Sequence, residues 1–253
     1  MQTSHPTSPG FRPFKLLQIA SHFRRALFLA AVRFPRATQA RIAGDFQQWA
    51  SQVLRTLQIQ VQSNRTPAAG FAGLVVSNHL SWLDILVLQS LMPGIFVAKQ
   101  EVRGWPVVGY LTQACSTIFV NRSSIRSARQ MVDRTADAIQ QGYAVVVFPE
   151  GTSSDGSDLG AFHANIFESA IRAGSAVQLV TLKYMDTRTG KAATDAHYIG
   201  DMTFASSLWR VLGNSSITAC VHIGDCIESH GHSRKTLAQQ AHKNIRSQLG
   251  AQD

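Results

Sequence analysis

The stretch Ser77-Asn78-His79-Leu80-Ser81-Trp82-Leu83-Asp84 decides the organisation of this chain. It follows an apolar run, residues 73–76, that predicts a buried strand. It leads into residues 82–91, whose almost continuous apolar side chains predict a buried helix. His79 therefore lies at a predicted strand-to-helix junction, where side chains and unpaired backbone N–H groups face a cleft.

Asp84 follows His79 by five residues, which is about one and a half helical turns. A carboxylate at that distance can fold back onto an imidazole that stands just before the helix. A neutral histidine held by an aspartate is a general base, because the carboxylate fixes the tautomer and stabilises the imidazolium that forms. The alternative is a core histidine beside a helix-capping aspartate, and these two residues alone do not decide between the two.

After residue 71 the sequence alternates between strand and helix patterns. The predicted strands are 74–76, 95–98, 117–120, 144–148, 177–182 and 217–223, and the predicted helices are 82–91, 106–113, 125–140, 162–173, 205–212 and 235–249. This alternation predicts an α/β fold with a mixed, largely parallel sheet flanked by helices. We expect one such domain over residues 71–253.

The first 70 residues hold nine Lys/Arg and one acid, Asp45, so most of the net charge of +9 lies there. Residues 1–13 contain three prolines and a glycine and predict a flexible tail. Residues 15–35 and 38–57 have helical periodicity. They predict two amphipathic helices within an N-terminal segment, residues 14–62.

The first of these helices has two predicted faces of different chemistry. The apolar face comprises Leu16, Ile19, Ala20, Phe23, Leu27, Ala30, Ala31 and Phe34. The opposite face comprises Lys15, Arg25, Arg33 and Arg36. An apolar face backed by cations is typical of a helix that lies in the interface of an anionic membrane. The alternative is an ordinary amphipathic helix that packs on its own domain.

Composition and motifs exclude several classes of protein. No RNA- or DNA-binding motif accompanies the basic segment, so we expect no nucleic-acid partner. No apolar run reaches the about 18 residues of a transmembrane helix, and the polar start of the chain differs from a secretory signal. Three cysteines without a C-x-x-C pattern predict reduced thiols in the cytoplasm. His230-Gly231-His232 is more typical of a loop than of a metal site, so we expect no metal.

Two further segments place polar residues after predicted strands. Phe148-Pro149-Glu150-Gly151-Thr152 follows the strand 144–148, at the carboxyl edge where α/β sheets bind ligands. There Glu150 can accept a hydrogen bond from a substrate hydroxyl, and Gly151 lets the backbone approach a ligand closely. Arg122, after the strand 117–120, can grip a phosphate or carboxylate. The alternatives are a connecting turn for the first segment and a surface salt bridge for Arg122.

Together these segments resemble the glycerolipid acyltransferase family, of which 1-acylglycerol-3-phosphate acyltransferase is the best known. Asn78-His79-x-x-x-x-Asp84 is similar to the catalytic block of that family, and Phe148-Pro149-Glu150-Gly151-Thr152 is similar to its third block. The second block is matched by Lys99, Glu101, Pro106, Gly109, Phe119 and Arg122. Residues 177–182 stand where the fourth, hydrophobic block belongs, so the resemblance covers roughly residues 75–185.

The resemblance implies an O-acyltransferase. His79, oriented by Asp84, would deprotonate the hydroxyl of a lyso-lipid, which then attacks the thioester of acyl-CoA or acyl carrier protein without any cofactor. Backbone N–H groups near the start of the helix 82–91 would stabilise the oxyanion. The substrate-binding residues would be Asn78, Lys99, Arg122, Glu150, Gly151 and Thr152. The N-terminal helices would hold the enzyme on the cytoplasmic face of the inner (plasma) membrane, where the lyso-lipid lies.

Three positions depart from the family pattern: Ser116 replaces a glycine, Ser153 an arginine and Thr181 a proline. Loss of the arginine removes one candidate phosphate contact. The run 150–156, with Phe162 and Phe167, looks more like the lyso-ornithine lipid acyltransferase branch, whose acceptor has an amino-acid headgroup.

Two other functions stay open on the sequence. One is a thioesterase or other hydrolase that uses the same His79–Asp84 pair, although no G-x-S-x-G motif supports it. The other is a non-catalytic membrane-binding scaffold, against which the intact His79–Asp84 pair argues.

Overall fold

The computed structural model describes residues 11–121 and 124–250, so Arg122 lies outside the described residues. Its helices are α1 (Phe11–Phe28), α2 (Gln39–Leu57), α3 (Leu83–Leu91), α4 (Val108–Ala114), α5 (Ile125–Gln140), α6 (Phe167–Ala173), α7 (Phe204–Leu212) and α8 (Arg234–Gly250). Its strands are β1 (Gln60–Ser63), β2 (Gly73–Ser77), β3 (Ile95–Lys99), β4 (Ile118–Val120), β5 (Ala144–Val147), β6 (Val177–Asp186) and β7 (Ile217–Ile227). A π-helical turn, Leu29–Arg33, and 3-10 turns at Phe34–Arg36, Gln100–Gly104, Ala164–Ile166 and Thr194–Ala196 lie between them.

The described strands form a seven-stranded sheet in the order β1-β7-β6-β2-β5-β3-β4. Neighbouring strands are parallel, except that β6 and β7 are antiparallel. The predicted fold class, α/β with a mixed and largely parallel sheet flanked by helices, is therefore confirmed. Val76 of β2 stands opposite Val147 of β5. Because these neighbours are parallel, the loops that follow them leave the sheet at the same edge.

The central strands are buried on both faces. In β2, Val75 packs into an apolar layer with Leu83 of α3, while Leu74 and Val76 pack into the opposite layer with Ile139 of α5. Successive strand residues point to opposite faces, so a strand covered on both sides is apolar throughout. This burial fixes β2, and with it the start of the polar loop that follows.

The two N-terminal helices pack onto the same domain. α2 contacts α3, and α1 contacts α2, α4 and α7. Thr38 caps α2, since its hydroxyl accepts a hydrogen bond from the N–H of Arg41 at 3.4 Å. β1 follows α2 and pairs with β7, so part of the predicted N-terminal segment forms one edge of the sheet. α1 thus makes the contacts expected of the alternative prediction, in which it is an amphipathic helix that packs on its own domain.

The predicted faces of α1 are partly wrong. Ile19 and Ala30 face the interior as predicted, but Lys15 lies on the same side and is only 2% exposed, whereas Leu16 and Ala20 are exposed. Lys15 precedes Ile19 by four residues, so the rotation that buries Ile19 also turns the lysine stem inward. Burial lowers the pKa of Lys15.

The outward side of α1 and its π-helical turn exposes apolar residues. Phe14, Leu17, Phe28 and Val32 form this exposed set, which we call the α1 surface. No helix within residues 11–121 and 124–250 has both the length and the apolar character that crossing a bilayer requires.

Several element bounds differ from the prediction. The predicted helix 162–173 is a 3-10 turn followed by the shorter α6. The predicted helix 106–113 begins only at Val108, because Val107 has a φ of 63°. β6 and β7 run several residues beyond their predicted ends, since they pair with each other from Val177 opposite Ile227 to Asp186 opposite Ile217.

Candidate active site

The predicted contact between His79 and Asp84 is present. His79 follows β2, Asp84 lies in the first turn of α3, and His79 Nδ1 is 2.8 Å from Asp84 Oδ2. The side chain of Asp84 is fully buried, while that of His79 is 20% exposed. Because Asp84 binds Nδ1, the other ring nitrogen, Nε2, is left to accept a proton in the neutral ring. The pair therefore has the geometry of a carboxylate-oriented general base.

The buried carboxylate of Asp84 is surrounded by hydrogen-bond donors. Oδ2 also accepts from the backbone N–H groups of Leu80 at 2.6 Å and Ser81 at 2.9 Å, and Oδ1 accepts from the hydroxyl of Tyr184 at 2.7 Å. An ionised carboxylate is costly to bury unless such donors satisfy it. The N–H groups of Leu80 and Ser81 are thus engaged by Asp84, and oxyanion binding by backbone N–H groups near the start of this helix stays a prediction.

The ring of His79 stacks on Phe148, with ring centroids 4.1 Å apart and planes within 13° of parallel. Phe148 follows β5, the parallel neighbour of β2, so the loops after the two strands meet directly. The N–H of Ser154 also donates to the backbone oxygen of His79 at 2.9 Å. The ring is therefore held by Asp84 through one nitrogen and by Phe148 through one face.

Glu150 braces the loop that carries His79. Its Oε1 accepts from the backbone N–H of His79 at 2.8 Å, and its Oε2 accepts from the N–H of Gly160 at 2.8 Å. Burial raises the pKa of Glu150, and the two backbone N–H groups oppose that rise. Both oxygens thus already have backbone partners, and a direct contact of Glu150 with a substrate hydroxyl stays a prediction.

Asn78 has a structural role in the loop after β2. The side chain is buried, its Nδ2 donates to the backbone oxygen of Leu182 at 2.9 Å, and its Oδ1 accepts from the N–H of Leu182 at 2.7 Å. This two-way bond ties the loop after β2 to β6. Both polar groups of Asn78 thus already have backbone partners, and substrate binding by Asn78 stays a prediction.

The structure brings Lys99, Gly151 and Thr152 to the same cavity as His79. Lys99 ends β3, and Gly151 has a φ of 72°, so glycine suits the turn after Pro149. These three residues are placed where a substrate contact is feasible, and their binding roles stay predictions. Arg122, another of the six predicted substrate-binding residues, lies outside the described residues.

The cavity has a volume of about 620 Å³ and is mainly apolar. Its apolar walls come from both N-terminal helices and from the sheet domain, for example Phe23 and Ala26 of α1, Trp49 of α2, Leu86 of α3, Phe96 of β3 and Leu111 of α4. His79 lies in the wall of this cavity together with Phe148. A pocket of this size is in the range that proteins use for whole small ligands.

Sequence reasoning missed Tyr184 and His197. Tyr184 lies two residues after Leu182 on β6, so the side chains of these two residues point to the same face of the sheet. This strand alternation is the one sequence signal for the direction of the Tyr184 side chain. His197 is buried, and burial lowers its pKa while the charge of Asp84 opposes that effect. Its turn reaches the site only through tertiary contacts, such as the N–H of Tyr198 bonding to the backbone oxygen of Leu80 at 2.9 Å.

Two nearby groups, the hydroxyl of Ser81 and the thiol of Cys115, are poorly suited to act as nucleophiles. Ser81 is fully buried, and its oxygen accepts from the N–H of Leu83 at 3.3 Å. Cys115 lines the cavity, but burial raises its pKa to about 12, so the reactive thiolate is scarce. In the described ranges, no three or more His, Cys, Asp and Glu side chains are grouped to hold a metal ion.

Comparison with known proteins identifies the class. A family model described as Acyltransferase matches residues 58–184. The lyso-ornithine lipid O-acyltransferase of Pseudomonas aeruginosa is 35% identical over 79% of this chain and 76% of its own length. The 1-acyl-sn-glycerol-3-phosphate acyltransferase of Neisseria meningitidis serogroup B is 36% identical over 77% of this chain and 76% of its own length. This chain belongs to the acyltransferase family.

The fold of the family is shared as well. The crystal structure of the 1-acyl-sn-glycerophosphate (LPA) acyltransferase PlsC from Thermotoga maritima matches with a TM-score of 0.67 and 17% sequence identity. The match covers 95% of this chain and 97% of that one. The protein is therefore an acyltransferase enzyme, and the predicted resemblance is confirmed.

Glu150→Gln tests the brace around His79. One carboxylate oxygen becomes an NH₂ group that faces a backbone N–H, so a buried hydrogen bond is lost. We expect the free energy of unfolding to fall by about 1–3 kcal/mol, measured by urea denaturation. The matched control is Glu228→Gln at an exposed position, which should change it by less than about 0.5 kcal/mol. Equal stability of the two variants would contradict the brace.

Proposed function

We propose that this protein transfers a fatty acyl group from acyl-CoA or acyl carrier protein to the free hydroxyl of a lyso-lipid, in membrane lipid biosynthesis. One observation carries the proposal: an aspartate-held histidine lies in the wall of an apolar cavity of about 620 Å³. The reaction needs a base beside the hydroxyl and an apolar space for an alkyl chain, and both occur in one site here.

His79 and Asp84 are the catalytic residues of this proposal. Nε2 of His79 takes the proton of the acceptor hydroxyl as the hydroxyl oxygen bonds to the thioester carbonyl carbon. The tetrahedral intermediate then collapses, the C–S bond breaks, and the thiol leaves with the proton that His79 returns. Asp84 stabilises the transient imidazolium. The acceptor itself is the nucleophile, so no acyl-enzyme, metal or cofactor takes part.

The loop 150–160 bears on the choice of acceptor headgroup. It contains Glu150, Asp155 and Asp158 but no lysine or arginine, and Ser153 stands where the family pattern has an arginine. Among the described residues that line the cavity, Lys99 is the only lysine or arginine. A phosphate favours several cationic donors, whereas an ornithine headgroup offers its ammonium to a carboxylate such as that of Asp155.

We therefore place lyso-ornithine lipid first among the acceptors and 1-acylglycerol-3-phosphate second. Relatives named for either acceptor are about equally similar to this chain. The decisive experiment incubates purified protein and labelled acyl donor, as acyl-CoA and as acyl carrier protein, with both lyso-lipids. Turnover of lyso-ornithine lipid is expected; turnover of lysophosphatidate alone would remove the first choice.

His79→Gln and Asp84→Asn test the catalytic pair in the same assay. We expect His79→Gln to abolish measurable transfer and Asp84→Asn to lower kcat by about 10²–10⁴-fold, because the imidazolium loses its counter-charge. His163→Gln, at an exposed position on the cavity wall, is the matched control and should keep most of the activity.

The two rival functions predict other results. Rapid cleavage of acyl-CoA without any acceptor would support a thioesterase. Unchanged lipid composition in cells that carry His79→Gln as their sole copy would support a scaffold.

Ala26→Phe tests whether the cavity holds the acyl chain. Ala26 lines the cavity on α1, so the added ring occupies space that a long chain needs. We expect kcat/KM for a long-chain donor to fall by about 10-fold or more relative to a short-chain donor. Ala20→Phe, on an exposed position of the same helix, is the control and should leave the ratio unchanged. A parallel loss for all chain lengths would contradict the assignment.

We further propose that the α1 surface lies in the interface of an anionic membrane, on its cytoplasmic face. Phe14, Leu17, Phe28 and Val32 are exposed there, and exposed Arg24 and Arg25 share the helix. Apolar side chains supply insertion energy, and arginines meet lipid phosphates. The acceptor would then reach the cavity from the bilayer.

Leu17→Gln combined with Phe28→Gln should weaken binding to phosphatidylglycerol-containing vesicles by at least about 10-fold, since each buried side chain contributes about 1.5–3 kcal/mol. Vesicle co-sedimentation measures this, and added salt should weaken binding further. Ile125→Gln, an exposed apolar residue of α5, is the control. An equal loss in the control would argue against a contact through α1.

A further inference from the structure

Tyr184 is buried beside the catalytic pair but lines no part of the cavity. Its side chain is 1% exposed, and its hydroxyl donates to Asp84 Oδ1 at 2.7 Å. Burial, and next the negative charge of Asp84, raise the pKa of Tyr184 well above its usual value. The phenol therefore stays protonated and remains a hydrogen-bond donor throughout the working pH range.

The two oxygens of Asp84 have separate partners. Oδ2 accepts from the imidazole of His79 and from the N–H groups of Leu80 and Ser81, all of which belong to the same local turn. Oδ1 accepts from Tyr184, which is 100 residues away in sequence. Among the described hydrogen bonds of the Asp84 side chain, the one from Tyr184 alone comes from outside this turn, so it orients the carboxylate relative to the sheet.

β6 holds the catalytic turn at two points. Leu182 bonds through its backbone to the side chain of Asn78, and Tyr184, two residues on, bonds to Asp84. The backbone of Leu182 makes the first contact and the side chain of Tyr184 makes the second, so the position of this one strand sets both. β6 thereby fixes the loop that begins at β2 and the carboxylate that begins α3.

We propose that Tyr184 is a positioning residue, whose hydroxyl holds Asp84 Oδ1 and thereby orients the carboxylate that holds His79. The inference rests on the proposed function of His79 and Asp84. Removal of the hydroxyl leaves a buried charged oxygen without its donor. The ionised carboxylate is then less stable, and the His79–Asp84 pair binds a proton at higher pH.

Other titratable groups also face Asp84. Glu150, in the loop after β5, and His197, after the 3-10 turn Thr194–Ala196, both interact with its charge through space. Neither forms a described hydrogen bond with the Asp84 carboxylate. Tyr184→Phe removes the donor to Oδ1 and leaves both of these groups in place, so the effect of the hydroxyl can be separated from theirs.

Tyr184→Phe is assayed with the lyso-lipid acceptor and acyl donor from pH 5 to pH 9. We expect kcat to fall by about 10–100-fold and KM to change less than about twofold, because Tyr184 touches no cavity. The acid limb of the pH–rate profile should move up by about one pH unit. An unmoved acid limb with wild-type kcat overturns the proposal.

Ser169→Ala is the matched control, since it deletes another fully buried hydroxyl, which donates to the backbone oxygen of Ile166 at 2.6 Å. Ser169 lies on α6, away from the pair. The control should lower stability but leave the acid limb in place. If it moves the acid limb as far as Tyr184→Phe does, the effect is general destabilisation and the proposal fails.

Two further measurements keep the test decisive. If Tyr184→Phe does not fold, 3-fluorotyrosine at position 184 keeps the shape of the side chain and donates a stronger hydrogen bond. The acid limb of the pH–rate profile should then move to lower pH, and no movement overturns the proposal.

NMR titration of ¹⁵N-labelled histidine follows the His79 ring without turnover. A wild-type enzyme that transfers no acyl group defeats the proposed function, yet the His79 ring signals of Tyr184→Phe should still titrate at higher pH. If they do not, the role of Tyr184 is defeated separately.

Discussion

The buried carboxylate of Asp84 is the group on which the rest of the site depends. A charge without solvent is costly, and four donors offset that cost here: the His79 ring, two backbone N–H groups and the Tyr184 hydroxyl. These donors impose the shape of the turn between β2 and α3. The same set of bonds that stabilises the buried carboxylate therefore also holds the ring of His79 in the wall of the cavity. The hydrogen bonds of this one side chain thus fix both the shape of the turn and the position of the His79 ring.

Two residues of the family blocks hold the loop that carries His79 in place. The sequence motif predicts that Asn78 and Glu150 bind substrate. In the structure, the side chain of each forms hydrogen bonds with backbone groups. Asn78 bonds to β6, and Glu150 bridges the N–H groups of His79 and Gly160. Loops have few apolar contacts to hold them, so these buried polar side chains supply rigidity to the loop that carries His79.

The cavity is shared between the N-terminal helices and the sheet domain. α1 and α2 supply apolar wall residues, and β3, α3 and α4 supply the others. The α1 surface points outward, while Ile19 of α1 and Ala30 of the π-helical turn point to the interior. The helix thus carries apolar side chains on two sides, outward on the α1 surface and inward at the cavity, so its sequence pattern does not define a single apolar face.

The sequence by itself determined the α/β alternation, the strand-to-helix junction at His79 and the meeting of His79 with Asp84. These follow from local causes: strands and helices have their own hydrophobic periods, and five residues across a helix start bring two side chains together. The tertiary structure decided which side of α1 faces the domain, and with it the burial of Lys15. It also decided that Tyr184 and His197 lie near Asp84. Those facts depend on which strands become neighbours and on how layers pack. Contacts between residues 100 positions apart have no local signal, because the folded sheet alone sets their distance.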